Sequence, residues 1–144
     1  MKATDYADKI QAELGSWWLP QIYREQILSR RTRPYHFGKL NPGARIEIQH
    51  TLLGIELKAD RKRLLCPDLA TARYLSILAR VGCKEVVVPY DITRISQVAD
   101  QLESSWYRML LLVDHHAANE SQRLRNRIRG LLIAKAREEV CGGS

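Results

Sequence analysis

Three aspartates stand 23 residues apart, each at the end of a short apolar run. Lys62-Arg63-Leu64-Leu65-Cys66-Pro67 leads into Asp68, and Lys84-Glu85-Val86-Val87-Val88-Pro89-Tyr90 leads into Asp91. Tyr107-Arg108-Met109-Leu110-Leu111-Leu112-Val113 leads into Asp114, which His115 and His116 follow directly. If each run is a strand of one parallel sheet, the three carboxylates share its carboxyl rim, where open α/β sheets bind ligands. Carboxylate oxygens with an imidazole beside them suit Mg²⁺ or Mn²⁺. On a basic chain this points to metal-assisted phosphodiester chemistry. Asp68, Asp91 and Asp114 would be the metal ligands, with His115 as a further catalytic group. Asp68 and Asp91 also stand where helix N-caps belong, and capping accounts for both without a ligand.

A second set of residues suits binding without chemistry. The net charge is +7 and the pI about 9.6, which favours an anionic partner such as nucleic acid or another polyanion. The cations fall into three groups: Arg30, Arg31 and Arg33; Arg61, Lys62 and Arg63; and a ladder from Arg123 through Arg125 and Arg127 to Arg129. Brought onto one face they would track phosphates, with Arg123 and Arg127 supplying the contacts from the ladder. Left apart, they are solvated charge or partners for the chain's own carboxylates. The Arg61 group sits at the amino end of its expected strand, opposite the aspartate rim. That separation favours binding over catalysis.

The elements that must position these residues follow from periodicity. Residues 4–14 read as a helix that Thr4 or Asp5 can cap and Gly15 ends. A second helix is expected from about Trp18 to Arg31, with Pro20 in its first turn. Trp17 and Trp18 read as clamps on the core, or as a docking platform for a protein partner. Residues 34–40 read as loop, and Asn41-Pro42-Gly43 as a turn. From Ala44 the period becomes two, predicting strands at 44–50 and 53–59 with one wet face. Asp68 opens a helix that Gly82 closes, and Val86-Val87-Val88 suits a strand covered on both faces. Asp91 opens a helix with the apolar spacing of the first, except that Ser76 stands where the second has Ala99. Met109–Val113 fits either a third strand or a continuation of that helix, since Leu102, Trp106, Leu110 and Val113 keep helical spacing. The 23-residue register and Ser104-Ser105 favour the strand. A last helix is expected over 119–140.

Two short stretches resemble known families. Asp114-His115-His116 after an apolar run is similar to the motif of the DHH phosphoesterases. The resemblance covers these few residues, and the nearest counterpart of that family's acidic first motif, Cys66-Pro67-Asp68, has a single aspartate. Glu56-Leu57-Lys58 resembles the E-x-K half of the PD-(D/E)xK nucleases. Glu47 would have to stand in for that pattern's preceding aspartate. An alternating Glu/Lys also decorates any wet strand face. No Walker A, G-x-G-x-x-G or G-x-S-x-G motif is present, which argues against a nucleoside triphosphatase, a dinucleotide enzyme or an α/β-hydrolase.

Three cysteines without a C-x-x-C pair suit a reducing compartment. The amino terminus lacks a signal-type apolar stretch, no run is long enough to span a bilayer, and a cytoplasmic protein without membrane partners is expected.

Together these features predict one α/β domain over residues 1–144. Residues 1–43 form an N-terminal helical segment, 44–141 the core and 142–144 a flexible tail. The sheet is expected to be small and mixed: an antiparallel pair plus about three parallel strands from βα repeats, with helices packed on it and two helices ahead of it. The leading expectation for function is a non-enzymatic, nucleic-acid-associated or regulatory protein that needs no cofactor. The alternatives are a Mg²⁺- or Mn²⁺-dependent phosphodiesterase or nuclease on the strand-end aspartates, and an adaptor or assembly factor, homodimeric or bound to another protein.

Overall fold

The structure, a computed structural model, describes residues 1–40 and 44–142. The expected Asn41-Pro42-Gly43 turn and tail residues 143 and 144 lie outside the described residues.

Helix α1 (Ala3–Leu14) buries Ala3, Tyr6, Ile10 and Leu14, a spacing of three to four that keeps one face inward. Asp5 closes its amino end by accepting the Lys2 amide at 3.1 Å. A single 3₁₀ turn (Gly15–Trp17) leads to α2 (Leu19–Gln26), with Pro20 in the first turn as expected. Helix α2 stops short of Arg31. The Ser29 hydroxyl donates to the Glu25 carbonyl at 2.8 Å, satisfying a helix-end acceptor without another turn.

The chain then forms β1 (Thr32–His36), β2 (Ile46–Thr51), β3 (Gly54–Ala59) and β4 (Lys62–Cys66). Strands β2, β3 and β4 make an antiparallel meander joined by two-residue turns at Leu52-Leu53 and Asp60-Arg61. Helix α3 (Leu69–Val81) packs against this sheet and covers Ile46, Leu57, Ala59 and Cys66. The opposite face carries Glu47, Gln49, Glu56, Lys58, Arg63 and Leu65. Strand β5 (Glu85–Pro89) pairs antiparallel with β1, and α4 (Ile92–His116) and α5 (Gln122–Cys141) complete the chain.

The parallel sheet is therefore corrected: both sheets of the described residues are antiparallel. The third apolar run, Met109–Val113, lies inside α4. Leu102, Trp106, Met109 and Val113 are buried at helical spacing, while Leu111 is 66% exposed. A strand covered on both faces would hide Leu111 as well. Ser104-Ser105 does not break the helix. Ser105 is buried and donates to the Trp17 carbonyl at 2.5 Å, so its hydroxyl ties α4 to the 3₁₀ turn.

Strand β1, expected as loop, is possible because Pro34 faces Val87 across the pair in a register that asks nothing of a proline nitrogen. On the other edge of β5 no strand follows among the described residues. The Val87 amide donates to the Tyr23 hydroxyl at 3.0 Å, and the Tyr74 hydroxyl donates to the Val87 carbonyl at 2.6 Å. Two buried tyrosines thus stand where a parallel neighbour would bond. The N-terminal segment, expected to be helical, also contributes β1, which pairs with β5.

Arg73 of α3 bonds Asp100 and Glu103 of α4. The Trp18 indole donates to Glu139 of α5 at 3.1 Å, so this tryptophan is a clamp. Among the described residues no helix is long and apolar enough to cross a membrane.

Candidate nucleic-acid interface

Antiparallel pairing of β1 with β5 brings the first basic group beside an aromatic ring. Tyr90 follows the end of β5, and its amide lies 3.5 Å from the Arg31 carbonyl. The Arg31 guanidinium sits over the Tyr90 ring at 5.2 Å from its centroid, and that of Arg33 at 5.9 Å. Tyr90 is 56% exposed, and Arg30, Arg31 and Arg33 are all exposed. Among the described residues none of these three arginines pairs with a carboxylate. Each guanidinium therefore keeps its donors for an external anion.

The second basic group stands at the other end of β1. Past His36, the buried Phe37 donates its amide to the Lys84 carbonyl at 2.7 Å and accepts the Lys62 ammonium on its own carbonyl. That latch joins the two sheets. It needs a glycine at 38, where φ is +74° and a Cβ would lie 2.6 Å from the Lys62 nitrogen. Arg61 is exposed in the β3–β4 turn, while Arg63 lies on the open sheet face 4.0 Å from Glu56. From Arg33 to Phe37 the strand covers about 13 Å at roughly 3.3 Å per residue.

The third group does not join them. Arg123 and Arg127 are exposed on α5, Arg125 bonds the Ala118 and Glu120 carbonyls, and Arg129 pairs with Asp114 at 2.5 Å. This group lies beside the carboxyl end of α4, roughly 33 Å along that helix from Tyr90 at 1.5 Å per residue.

The aspartates are dispersed by the same correction to the fold. Asp68 caps α3 through the Thr71 amide at 2.7 Å, and Asp91 caps α4 through the Thr93 amide at 3.0 Å. Asp114 and His115 lie in the last turns of α4, so Asp91 and Asp114 occupy opposite ends of one helix. The shared carboxylate edge is gone. His115 packs edge-on against His116, which contacts Glu13 at 2.5 Å. Among the described residues no three His, Cys, Asp or Glu side chains gather as a cation site would need.

One residue of the interface went unread. Tyr90 acquires meaning only through the β1–β5 register, and no local pattern marks it. Glu56 is 8% exposed, and its Oε2 has no hydrogen-bond partner. It shares the open sheet face with Lys58, which stands across from Glu47. Burial pushes the Cys66 and Cys83 thiols up, so neither is a thiolate nucleophile at neutral pH. Trp17 is half-buried beneath the Arg108 guanidinium, 4.1 Å from the ring centroid.

Comparison of the chain with known protein families, with curated proteins and with solved structures finds no match in any of the three.

Proposed function

We propose that this chain binds nucleic acid without cleaving it, through the end of the β1–β5 pair. The observation that carries the reading is the exposed Tyr90 ring under two arginines that have no carboxylate partner. An aromatic face stacks on any base, contributing about 1–3 kcal/mol per base. Arginines beside it supply phosphate contacts whose strength falls with salt. A single-stranded segment offers both the unstacked base and the phosphates; a duplex offers only the phosphates.

The test is fluorescence anisotropy of a labelled single-stranded 20-mer against the intact chain over a range of salt. Arg31→Ala/Arg33→Ala should lower the salt slope by about 1.4, at roughly 0.7 per phosphate contact on a single strand. Tyr90→Ala should weaken binding at every salt concentration and leave the slope unchanged. Wild-type affinity and slope in the arginine double variant would remove this surface from consideration.

A second reading is carried by Glu56, whose Oε2 lies on the outer sheet face 4.0 Å from Arg63 and has no hydrogen-bond partner. With Glu47 it would hold Mg²⁺ or Mn²⁺, which would activate water for phosphodiester cleavage, and Lys58 would steady the phosphate. Mn²⁺-dependent cleavage of the 20-mer that Glu56→Gln abolishes would replace the binding reading with this one.

A further inference from the structure

The Lys62 latch forms part of a cavity that the nucleic-acid reading does not use. Lys39, Leu40, Ala44, Ala59, Asp60, Arg61 and Lys62 line a volume of about 710 Å³, within the range of ligand sites. Its charge is lopsided, with three cations against one carboxylate. Asp60 is already engaged, since its Oδ1 accepts the Arg45 amide at 2.9 Å and its own amide donates to the Arg45 carbonyl at 3.0 Å. The backbone at Asp60 has φ +53°, a conformation that asparagine and aspartate tolerate better than other side chains. The carboxylate therefore acts as a pin for the turn that presents Arg61 and Lys62. Lys62 spends one N–H on the Phe37 carbonyl and keeps two, as an ammonium has three donors. Neither Lys39 nor Arg61 pairs with a carboxylate among the described residues.

We propose that this cavity is a phosphomonoester site. The excess charge of its lining is about +2, which matches a monoester carrying about −1.5 to −2 at neutral pH and overshoots a backbone phosphodiester. The cavity is also roomy enough for the group to which the phosphate is attached. Such a phosphate comes either from the end of a nucleic-acid strand or from a free mononucleotide. The strand-end source rests on the preceding reading and deepens it: a single strand stacked on Tyr90 and following β1 would end in the cavity.

The experiment is calorimetric titration of the intact chain with inorganic phosphate, a mononucleotide monophosphate, and matched single-stranded 10-mers bearing a 5′-phosphate, a 3′-phosphate or neither. A phosphate at one strand end should tighten binding about tenfold over the unphosphorylated strand. Arg61→Ala and Lys39→Ala should each abolish that advantage, and Tyr90→Ala should weaken all three strands while preserving it. Both tested cations are exposed, so folding is not at stake. Mononucleotide binding that depends on Arg61, with no preference among the strands, supports the site and identifies its source as free. Equal affinity for all three strands together with no Arg61-dependent binding of phosphate or mononucleotide overturns the proposal. Strand binding that survives that result leaves the Tyr90 surface intact. Loss of strand binding with Arg61-dependent mononucleotide binding retained sinks that surface alone.

Discussion

Removing the Tyr23 hydroxyl by Tyr23→Phe should destabilise the fold well beyond the loss of one oxygen. The hydroxyl is the acceptor for the Val87 amide at 3.0 Å, and Tyr23 is buried. Among the described residues no strand lies on that side of β5 to replace it. An N–H left buried without an acceptor costs about 1–3 kcal/mol, whereas an ordinary intact hydrogen bond contributes a net of about 1 kcal/mol. Tyr74→Phe leaves the Val87 carbonyl without its donor at 2.6 Å and should cost about 1 kcal/mol, since an under-satisfied carbonyl is tolerated better than an orphaned amide. For a chain of this size 1 kcal/mol corresponds to roughly 2–4 °C, so Tyr23→Phe should lower Tm by about 2–12 °C. The assay is thermal and urea unfolding of both single variants and the double, together with amide hydrogen exchange at Val87. The double should deviate from additivity, because the two hydroxyls hold one residue of one strand. Since β5 carries Tyr90, the double should also bind the 20-mer more weakly. A cost below about 0.5 kcal/mol for Tyr23→Phe, with Val87 exchange still protected, would show that something else satisfies the strand edge.

Two further outcomes follow from the same structure. Asp68→Ala and Asp91→Ala should each cost about 1 kcal/mol, while the asparagine variants should stay near wild type, since asparagine caps as well as aspartate. A large loss of stability in both asparagine variants would mean that the negative charge, rather than the cap, is what these positions supply. Burial pushes the Tyr23 and Tyr74 hydroxyls above their ordinary value of 10.0. Because the folded state holds these protons more tightly, their contribution is fully present below about pH 10. It is lost as pH rises beyond that towards the folded values. Urea midpoints at pH 8 and pH 11 should therefore fall at the higher pH, with tyrosinate absorbance appearing at unfolding. Free ionisation of all six tyrosines in the folded chain would contradict the burial.

Much of the local structure was legible because it is encoded locally. Asp68, Asp91 and Gly82 occupy the caps that their residue types announce. The change to a period of two located β2 and β3 within a residue or two. What misled was regularity. The 23-residue spacing of aspartates marks a strand followed by a capped helix twice, at β4–α3 and β5–α4, and fails at the third, because Met109–Val113 obeys the helical period that begins at Leu102. Strand β1 was illegible for the opposite reason. Thr32–His36 has neither apolar alternation nor β-rich composition, and it is a strand only because β5 lies beside it. The candidate site inherits that difficulty. Arg30, Arg31 and Arg33 were visible as charge, but Tyr90 is 57 residues further on from Arg33 and meets it only through the strand pairing. Residues from opposite ends of α4, such as Asp91 and Asp114, were grouped by an architecture that the chain does not adopt.

Pro34 carries a consequence for how copies of the chain meet at high concentration. Opposite Val87 it sits where its nitrogen would face away from β5, and a proline nitrogen has no hydrogen to offer there. Val87 has its outward groups occupied by tyrosines on the far side. The two-stranded ribbon is thus blunted along both margins, one by an absent donor and the other by spoken-for groups. A visiting strand would meet no donor at Pro34 on one margin and no free group at Val87 on the other, which disfavours edge-to-edge pairing at the centre of the ribbon.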